Sequence, residues 1–185
     1  MYKIKIIALS QILMISCDSG DHIRTYRLPK PDKVSNNNII DEKNKNDFSL
    51  KWKTPDTWIE VQGHSMRLAS FNIPLSDGNG DVSITTFSGI SGGIEANVNR
   101  WLGQIGLEPL SLVNIQKLSL AGTGKLGNYQ YFKLINDDKK ETAILASIFQ
   151  LEARTVFVKL SINAGEIIKV ESDFRSFCES IFVSG

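Results

Sequence analysis

The sequence predicts an α+β domain, with a mainly antiparallel sheet of about six or seven strands flanked by two principal helices. Short segments in which apolar and polar residues alternate indicate half-buried strands. Polar turns, such as residues 136–140, separate these segments. Two longer segments carry apolar residues at helical spacing, and each must bury its apolar face against a sheet.

Several segments have the residue pattern of strands, with many β-branched side chains. They are residues 48–52, 58–61, 66–73, 81–87, 118–121, 128–135, 142–150 and 154–162. In the third of these, alternation predicts that Arg67 lies on the same side as Phe71, opposite Ser70.

Residues 80–107 combine a strand, a glycine-rich corner and an amphipathic helix, and the domain is organised around them. We expect Ser91 to cap the helix, Glu95 to favour its first turns and Gly106 to end it. The apolar stripe of this helix consists of Ile94, Val98, Trp101, Leu102 and Ile105.

A second long helix follows the last predicted strand. Asn163 is a candidate N-cap, with Glu166 three residues later in a capping-box arrangement. Cys178 lies on the apolar stripe and is predicted to be a core residue. The rest of the stripe consists of Ile167, Val170, Phe174, Phe177 and Ile181.

The N-terminal residues predict export and lipid attachment. Residues 6–15 follow two lysines and are mostly apolar, but they are too few to span a bilayer as a mature helix. The run ends at Cys17 and resembles a bacterial lipobox, although Met14 replaces the usual leucine. This resemblance implies acyl chains on Cys17 that anchor the chain to a membrane. An ordinary signal peptide with a chance cysteine is the alternative.

These features divide the chain into a signal peptide at 1–16, a flexible membrane tether at 17–47 and one domain at 48–185. Low hydrophobicity and mixed charge predict disorder in the tether. Within it, residues 23–30 mix apolar and basic side chains, which fits either a docking or partner segment or incidental apolar residues. The net charge of +1 gives no electrostatic reason to expect nucleic acid as a partner.

Metal, cofactor and catalytic sites are not predicted. The two histidines, His22 in the tether and His64 in a loop, cannot form a multi-histidine zinc site, and no cysteine cluster replaces it. Residues 77–81 imitate the start of a calcium loop, but the required later glycine and glutamate are missing, so a hairpin turn is favoured. The glycine corner at 88–93 lacks the lysine of a phosphate loop, which favours a tight strand-to-helix connection.

Four polar residues lie off the apolar stripe of the first helix, and they are candidates for binding a partner: Asn97, Asn99, Arg100 and Gln104. Arginine is frequent among the residues that dominate interface energies, and Trp101 lies beside these residues. A structural role is the alternative. In that case Arg100 pairs with an acidic neighbour, and the asparagines hydrogen-bond to loop backbone.

Three segments resemble a set of uncharacterised exported proteins of Verrucomicrobia and related marine bacteria. They are WKTPDTW at 52–58, SMRLASF at 65–71 and NVNRWLGQ at 97–104. These carry the patterns W-x-x-P-x-x-W, M-R-x-A-x-F and N-x-x-R-W of that family, and residues 26–30 are similar to its membrane-proximal segment. The order of elements is also similar to the PsbP-like fold. Neither resemblance implies a catalytic residue.

The sequence therefore predicts a periplasmic lipoprotein, anchored to a membrane at Cys17, whose domain binds an envelope protein or assists assembly without being an enzyme. Scarce histidine and the lack of a catalytic motif favour this hypothesis over an envelope hydrolase or transferase with an unrecognised site. A purely structural envelope protein is the other alternative.

Overall fold

The computed structural model describes residues 48–63, 66–139 and 141–184. The chain divides into two units, residues 1–42 and 43–185, and all described residues belong to the second. The predictions for the signal peptide, the lipid attachment at Cys17, the tether and His64 therefore lie outside the described residues.

The described part of the second unit contains a seven-stranded sheet, in which every neighbouring pair of strands is antiparallel. Its strands are β2 (Ile59–Val61), β3 (Ala69–Pro74), β4 (Asn79–Ser88), β5 (Leu120–Gly124), β6 (Gly127–Ile135), β7 (Thr142–Gln150) and β8 (Arg154–Asn163). The spatial order is β2-β3-β4-β8-β7-β6-β5. Two long helices, α1 (Gly93–Gln104) and α3 (Ile167–Ser180), pack on the sheet. The predicted α+β architecture is confirmed.

The two long helices cover opposite faces of the sheet, because alternate residues of each strand point to opposite sides. On the first face, α3 buries Phe174 and Phe177 against apolar residues of β3, β4, β8, β7 and β6. On the second face, α1 buries Trp101 and Leu102 against β6, β7 and Phe157 of β8. The short helix α2 (Leu112–Leu118) adds Ile115 to this second core.

A separate two-stranded ladder joins the start of the described residues to their end. β1 (Ser49–Lys51) pairs antiparallel with β9 (Phe182–Ser184), and Leu50 lies opposite Val183. Sequence analysis predicted β1 but not β9, which follows directly after α3 and is defined by its pairing with the distant β1. Leu50 is buried in the first core, so the strand that enters the domain is packed into it.

The N-terminus of α1 differs from the prediction. Gly92, with φ of 76°, is the N-cap, and no side chain caps the helix. The hydroxyl of Ser91 donates instead to the carbonyl oxygen of Ser88 at 3.0 Å. Ser91 as the capping residue is therefore wrong, because the glycine corner turns its side chain back toward β4.

The C-terminus of α1 agrees with the prediction. Gly106 adopts φ of 72° immediately after the C-cap Ile105. Its N–H donates to the carbonyl oxygen of Gly103 at 3.2 Å, and the N–H of Leu107 donates to that of Leu102 at 3.0 Å. This Schellman arrangement requires a left-handed residue, which glycine adopts without a steric penalty.

Asn163 caps the turn that leads into α3 and not α3 itself, whose N-cap is Glu166, and Glu166 does not complete a capping box. Asn163 Oδ1 accepts the N–H of Gly165 at 2.9 Å, at the start of a 3-10 turn, Ala164–Glu166, that leads into α3. Glu166 Oε1 accepts hydrogen bonds from Ser76 Oγ at 3.1 Å and Lys169 Nζ at 3.0 Å. This carboxylate therefore links α3 to the loop between β3 and β4.

Candidate functional site

Asn97, the first of the four candidate binding residues, points into the protein. It is 5% exposed, and its Nδ2 donates to the carbonyl oxygens of Ser91 at 2.9 Å and Gly93 at 2.7 Å. Ser91 and Gly93 both have positive φ. Asn97 therefore holds the strained corner between β4 and α1.

Asn99 joins α1 to the segment that precedes α2. Its Oδ1 accepts the N–H of Leu110 at 2.8 Å, and its Nδ2 donates to the carbonyl oxygen of the same residue at 2.9 Å. Both asparagines thus hydrogen-bond to backbone, as the structural alternative expects. A binding role for them stays a prediction, and few of their polar atoms are free to serve it.

Arg100 and Gln104 are exposed one helical turn apart on α1. Nη2 of Arg100 donates to Oδ1 of Asn97 at 2.8 Å, and not to an acidic residue. Gln104 Oε1 accepts a hydrogen bond from Nζ of Lys159 on β8 at 2.6 Å. The C-terminal half of α1 therefore contacts the sheet through Lys159 of β8.

Beyond this contact, the second face of the sheet becomes polar. The second core ends near Phe87 and Phe157. At alternate positions along the same two strands, Ser83 lies opposite Lys159 and Asp81 lies opposite Ser161. We call the charged and amide side chains gathered here the polar patch: Arg67, Asp81, Arg100, Gln104 and Lys159.

Arg67 and Asp81 form a bidentate ion pair at one side of the polar patch. Nη1 of Arg67 donates to Oδ1 of Asp81 at 2.8 Å and Nη2 to Oδ2 at 2.9 Å, while Nη1 also reaches Ser70 Oγ at 3.3 Å. The hydrogen bond to Asp81 is the main cause that raises the pKa of Arg67. The predicted side for Arg67 is wrong, since β3 begins only at Ala69 and strand alternation does not extend to residue 67.

Lys159 is a half-buried cation of the polar patch. Burial lowers the pKa of its ammonium below the ordinary value of 10.5. The negative charge of Asp81 opposes this change, whereas the positive charges of Arg67 and Arg100 add to it. Three cations thus act around one carboxylate, and that carboxylate is already paired with Arg67.

Two surface clefts adjoin the second face. One, of about 300 Å³, lies between the C-terminal turn of α1 and residues Lys139, Glu141 and Thr142, and Gln104 borders both this cleft and the polar patch. The other, of about 500 Å³, lies over β5, β6 and β7 and has an uncharged lining that includes Thr123 and Gln130. The cleft with charged lining residues, Lys139 and Glu141, is therefore the one that borders the candidate residue Gln104.

The polar patch offers hydrogen-bond donors and positive charge. Within residues 48–63, 66–139 and 141–184, no three His, Cys, Asp or Glu side chains are grouped to hold a metal ion. A helix long and apolar enough to cross a membrane is also not found among these residues. Guanidinium and ammonium groups at these positions can bind and orient an anionic or amide-bearing group.

Sequence analysis identified Arg100 and Gln104 but missed Arg67, Asp81 and Lys159. A signal was present in β8, where Lys159 follows Phe157 at a position that alternation assigns to the same face. Its connection with Asp81 depends on the pairing of β4 with β8, which are far apart in the chain. Local patterns do not reveal that pairing.

The comparisons with known proteins give structural similarity only. No protein-family model and no curated protein matches the sequence. Three solved structures resemble the chain at low identity. The first, a protein of Bacteroides thetaiotaomicron VPI-5482, is 12% identical with a TM-score of 0.47, over 74% of this chain and 45% of its own. This chain therefore spans less than half of that protein's length.

The solution structure of PsbP from the cyanobacterium Synechocystis sp. PCC 6803 is 17% identical with a TM-score of 0.45, over 76% of this chain and 96% of its own. LpqN, involved in cell envelope biogenesis of Mycobacterium tuberculosis, is 10% identical with a TM-score of 0.47, over 77% and 88%. A PsbP protein is thus among the similar structures, as the order of elements predicts. Similarities of this size do not transfer a function, and the resemblance to the exported marine family stays a prediction.

Proposed function

We propose that this protein is a lipid-anchored envelope lipoprotein whose domain binds another envelope component, without catalysing a reaction. The observation that carries the binding proposal is the polar patch. There, Arg100 and Gln104 stand exposed on α1 beside the partly buried Lys159. Charged groups with free donors at the edge of a rigid helix–sheet contact are suited to recognition.

The anchoring part of the proposal rests on the residues that end at Cys17. Several acyl chains on this cysteine would give stable membrane attachment, because a single chain binds only marginally. A flexible tether at 17–47 would span about 30 Å on average. Such a tether raises the concentration of the domain near partners at the same membrane. The exported marine family that the sequence resembles fits this arrangement.

Binding is favoured over turnover because of the residues at the patch. Proton-transfer catalysis needs a group whose pKa is close to the working pH, and most enzymes use histidine or a carboxylate for it. The carboxylate of the patch, Asp81, is held in a bidentate pair by Arg67. The remaining polar side chains are amides and cations, which bind and position a ligand more readily than they transfer its protons.

The test of binding is a double variant, Arg100→Ala with Gln104→Ala. It should weaken capture of the partner from detergent-solubilised membranes about tenfold, the usual effect of removing an interface arginine. The melting temperature should stay near that of the wild type, since both side chains are exposed. The matched control is Gln116→Ala with Lys117→Ala, two exposed residues of α2, and it should capture the partner normally. If the double variant is unfolded, these residues have a structural role. If the double variant and the control lose capture of the partner equally, the binding surface is not at Arg100 and Gln104.

The test of anchoring is Cys17→Ser. We expect the variant to accumulate as an unprocessed precursor and to incorporate no labelled fatty acid, because the thiol that accepts the lipid is removed. Equal labelling of the variant and the wild type would exclude lipid attachment at this residue. It would leave the binding proposal untouched, since the two rest on different parts of the chain.

A further inference from the structure

The polar patch carries more positive charge than its own carboxylate can neutralise. Asp81 is paired through both oxygens with the terminal nitrogens of Arg67. Lys159 and Arg100 instead bond to the neutral amide oxygens of Gln104 and Asn97. We propose that Lys159 and Arg100 form a binding site for an oxyanion, a phosphate or carboxylate group, at the junction of α1 with β4 and β8. The proposal rests on the proposed binding function and specifies its ligand chemistry.

Among the residues that the structure describes, both cations keep hydrogen-bond donors that are available to an anion. The ammonium of Lys159 has three N–H groups and uses one on Gln104 at 2.6 Å. The guanidinium of Arg100 has five, and its recorded bond to Asn97 occupies Nη2. Hydrogen bonds between such cations and an oxyanion are about twice as strong as bonds between neutral groups.

One hydrogen bond to an amide oxygen orients each of the two cations before any ligand binds. Asn97 is buried and bonded to the corner backbone, and its Oδ1 holds the guanidinium of Arg100 at 2.8 Å. Gln104, which is exposed on the next turn of α1, accepts a hydrogen bond from the ammonium of Lys159. Preorganised donors bind more tightly, because less conformational entropy is lost when the ligand arrives.

The groups around Lys159 favour the binding of a negatively charged ligand. Asp81 from β4, Arg67 from the segment before β3, and Arg100 from α1 are the charged groups that act on it. Burial disfavours the ammonium, and two like charges outnumber the single carboxylate. A bound anion would offset both effects. Arg67 contributes to the field, but its terminal nitrogens are committed to Asp81.

The experiment titrates the mature lipidated chain in a neutral detergent, at constant ionic strength, and follows binding by isothermal titration calorimetry. Inorganic phosphate, citrate and micelles containing phosphatidylglycerol are three separate ligands, which distinguish a free phosphate, a carboxylate and a lipid headgroup as the source. We expect saturable binding of at least one of them. Lys159→Gln should weaken it about tenfold or more, since a charge-assisted contact is lost. Arg100→Gln, on the exposed helix face, provides a second variant with less risk to folding.

Lys117→Gln is the matched control, because Lys117 is an exposed lysine at the end of α2. It should bind the anion as the wild type does. Affinity should also fall as pH rises through the lowered pKa of Lys159, because the neutral amine no longer attracts an anion. Absence of saturable binding with all three ligands, or equal losses in Lys117→Gln and Lys159→Gln, would overturn the site. Partner capture that still depends on Arg100 and Gln104 would then leave the proposed function standing.

Discussion

Replacing Asn97 by alanine tests whether this buried residue of α1 stabilises the fold. The variant loses two hydrogen bonds to the backbone carbonyls of Ser91 and Gly93, each contributing about 1 kcal/mol. It also loses the half-exposed bond with Arg100, for which about 0.5 kcal/mol is reasonable. Alanine favours the helix over asparagine by about 0.6 kcal/mol. The free energy of unfolding should therefore fall by about 2 kcal/mol, and the melting temperature by about 4–8 °C.

Urea denaturation, followed by tryptophan fluorescence, measures this change, because Trp101 is buried one turn from Asn97. Asn114→Ala is the matched control. Asn114 is exposed on α2, so its replacement should raise the free energy of unfolding by no more than the helix preference of alanine, about 0.6 kcal/mol. If Asn97→Ala is as stable as the Asn114 control, the corner does not depend on these hydrogen bonds. A binding role for Asn97 would then regain support.

Three further variants test the packing and the charges of the first face. Phe174→Ala should lower the free energy of unfolding by about 3–5 kcal/mol, because Phe174 is fully buried under α3; calorimetry would contradict this with a change below about 1 kcal/mol. Gly124→Ala should destabilise the protein by about 2 kcal/mol, since a Cβ would lie 2.7 Å from the Cα of Glu179, and unchanged melting would refute the close approach. Burial acts to raise the pKa of Glu171, but hydrogen bonds from Lys133 and Tyr131, together with nearby positive charge, outweigh it and lower that pKa, so stability should fall as pH decreases through it. Glu171→Gln should remove this part of the acid dependence, and an unchanged pH profile would contradict the assignment.

Local patterns were sufficient to predict most elements. A nearly continuous apolar run identifies β7 and alternation identifies β8, both almost to the residue, and helical spacing identifies α3. Gly106 was assigned correctly, since the end of a helix depends on the backbone preferences of one or two residues, whereas Asn163 caps the 3-10 turn before α3 and not α3 itself. β9 was missed because it follows directly after α3 and forms only by pairing with β1, which is far away in the chain.

The candidate site was predicted only in part, for a related reason. The helical pattern places Arg100 and Gln104 off the apolar stripe, and the structure exposes both. It assigns Asn97 to the same polar group, yet the glycine corner folds back over that side chain and buries it. Whether a polar residue faces solvent or a neighbouring loop depends on the path of that loop. Helical periodicity gives no information about this path.

The sequence by itself determined most of the elements, their apolar faces and the residues at Cys17 on which the anchoring proposal rests. Each depends on interactions between residues that are close in the chain. Only the tertiary structure decided that β4 lies beside β8, so that Asp81 and Lys159 share one face, with Arg67 brought over it. It also decided that α1 ends above Lys159. These contacts join residues far apart in the chain. Their formation depends on how two apolar cores are buried on opposite faces of one sheet.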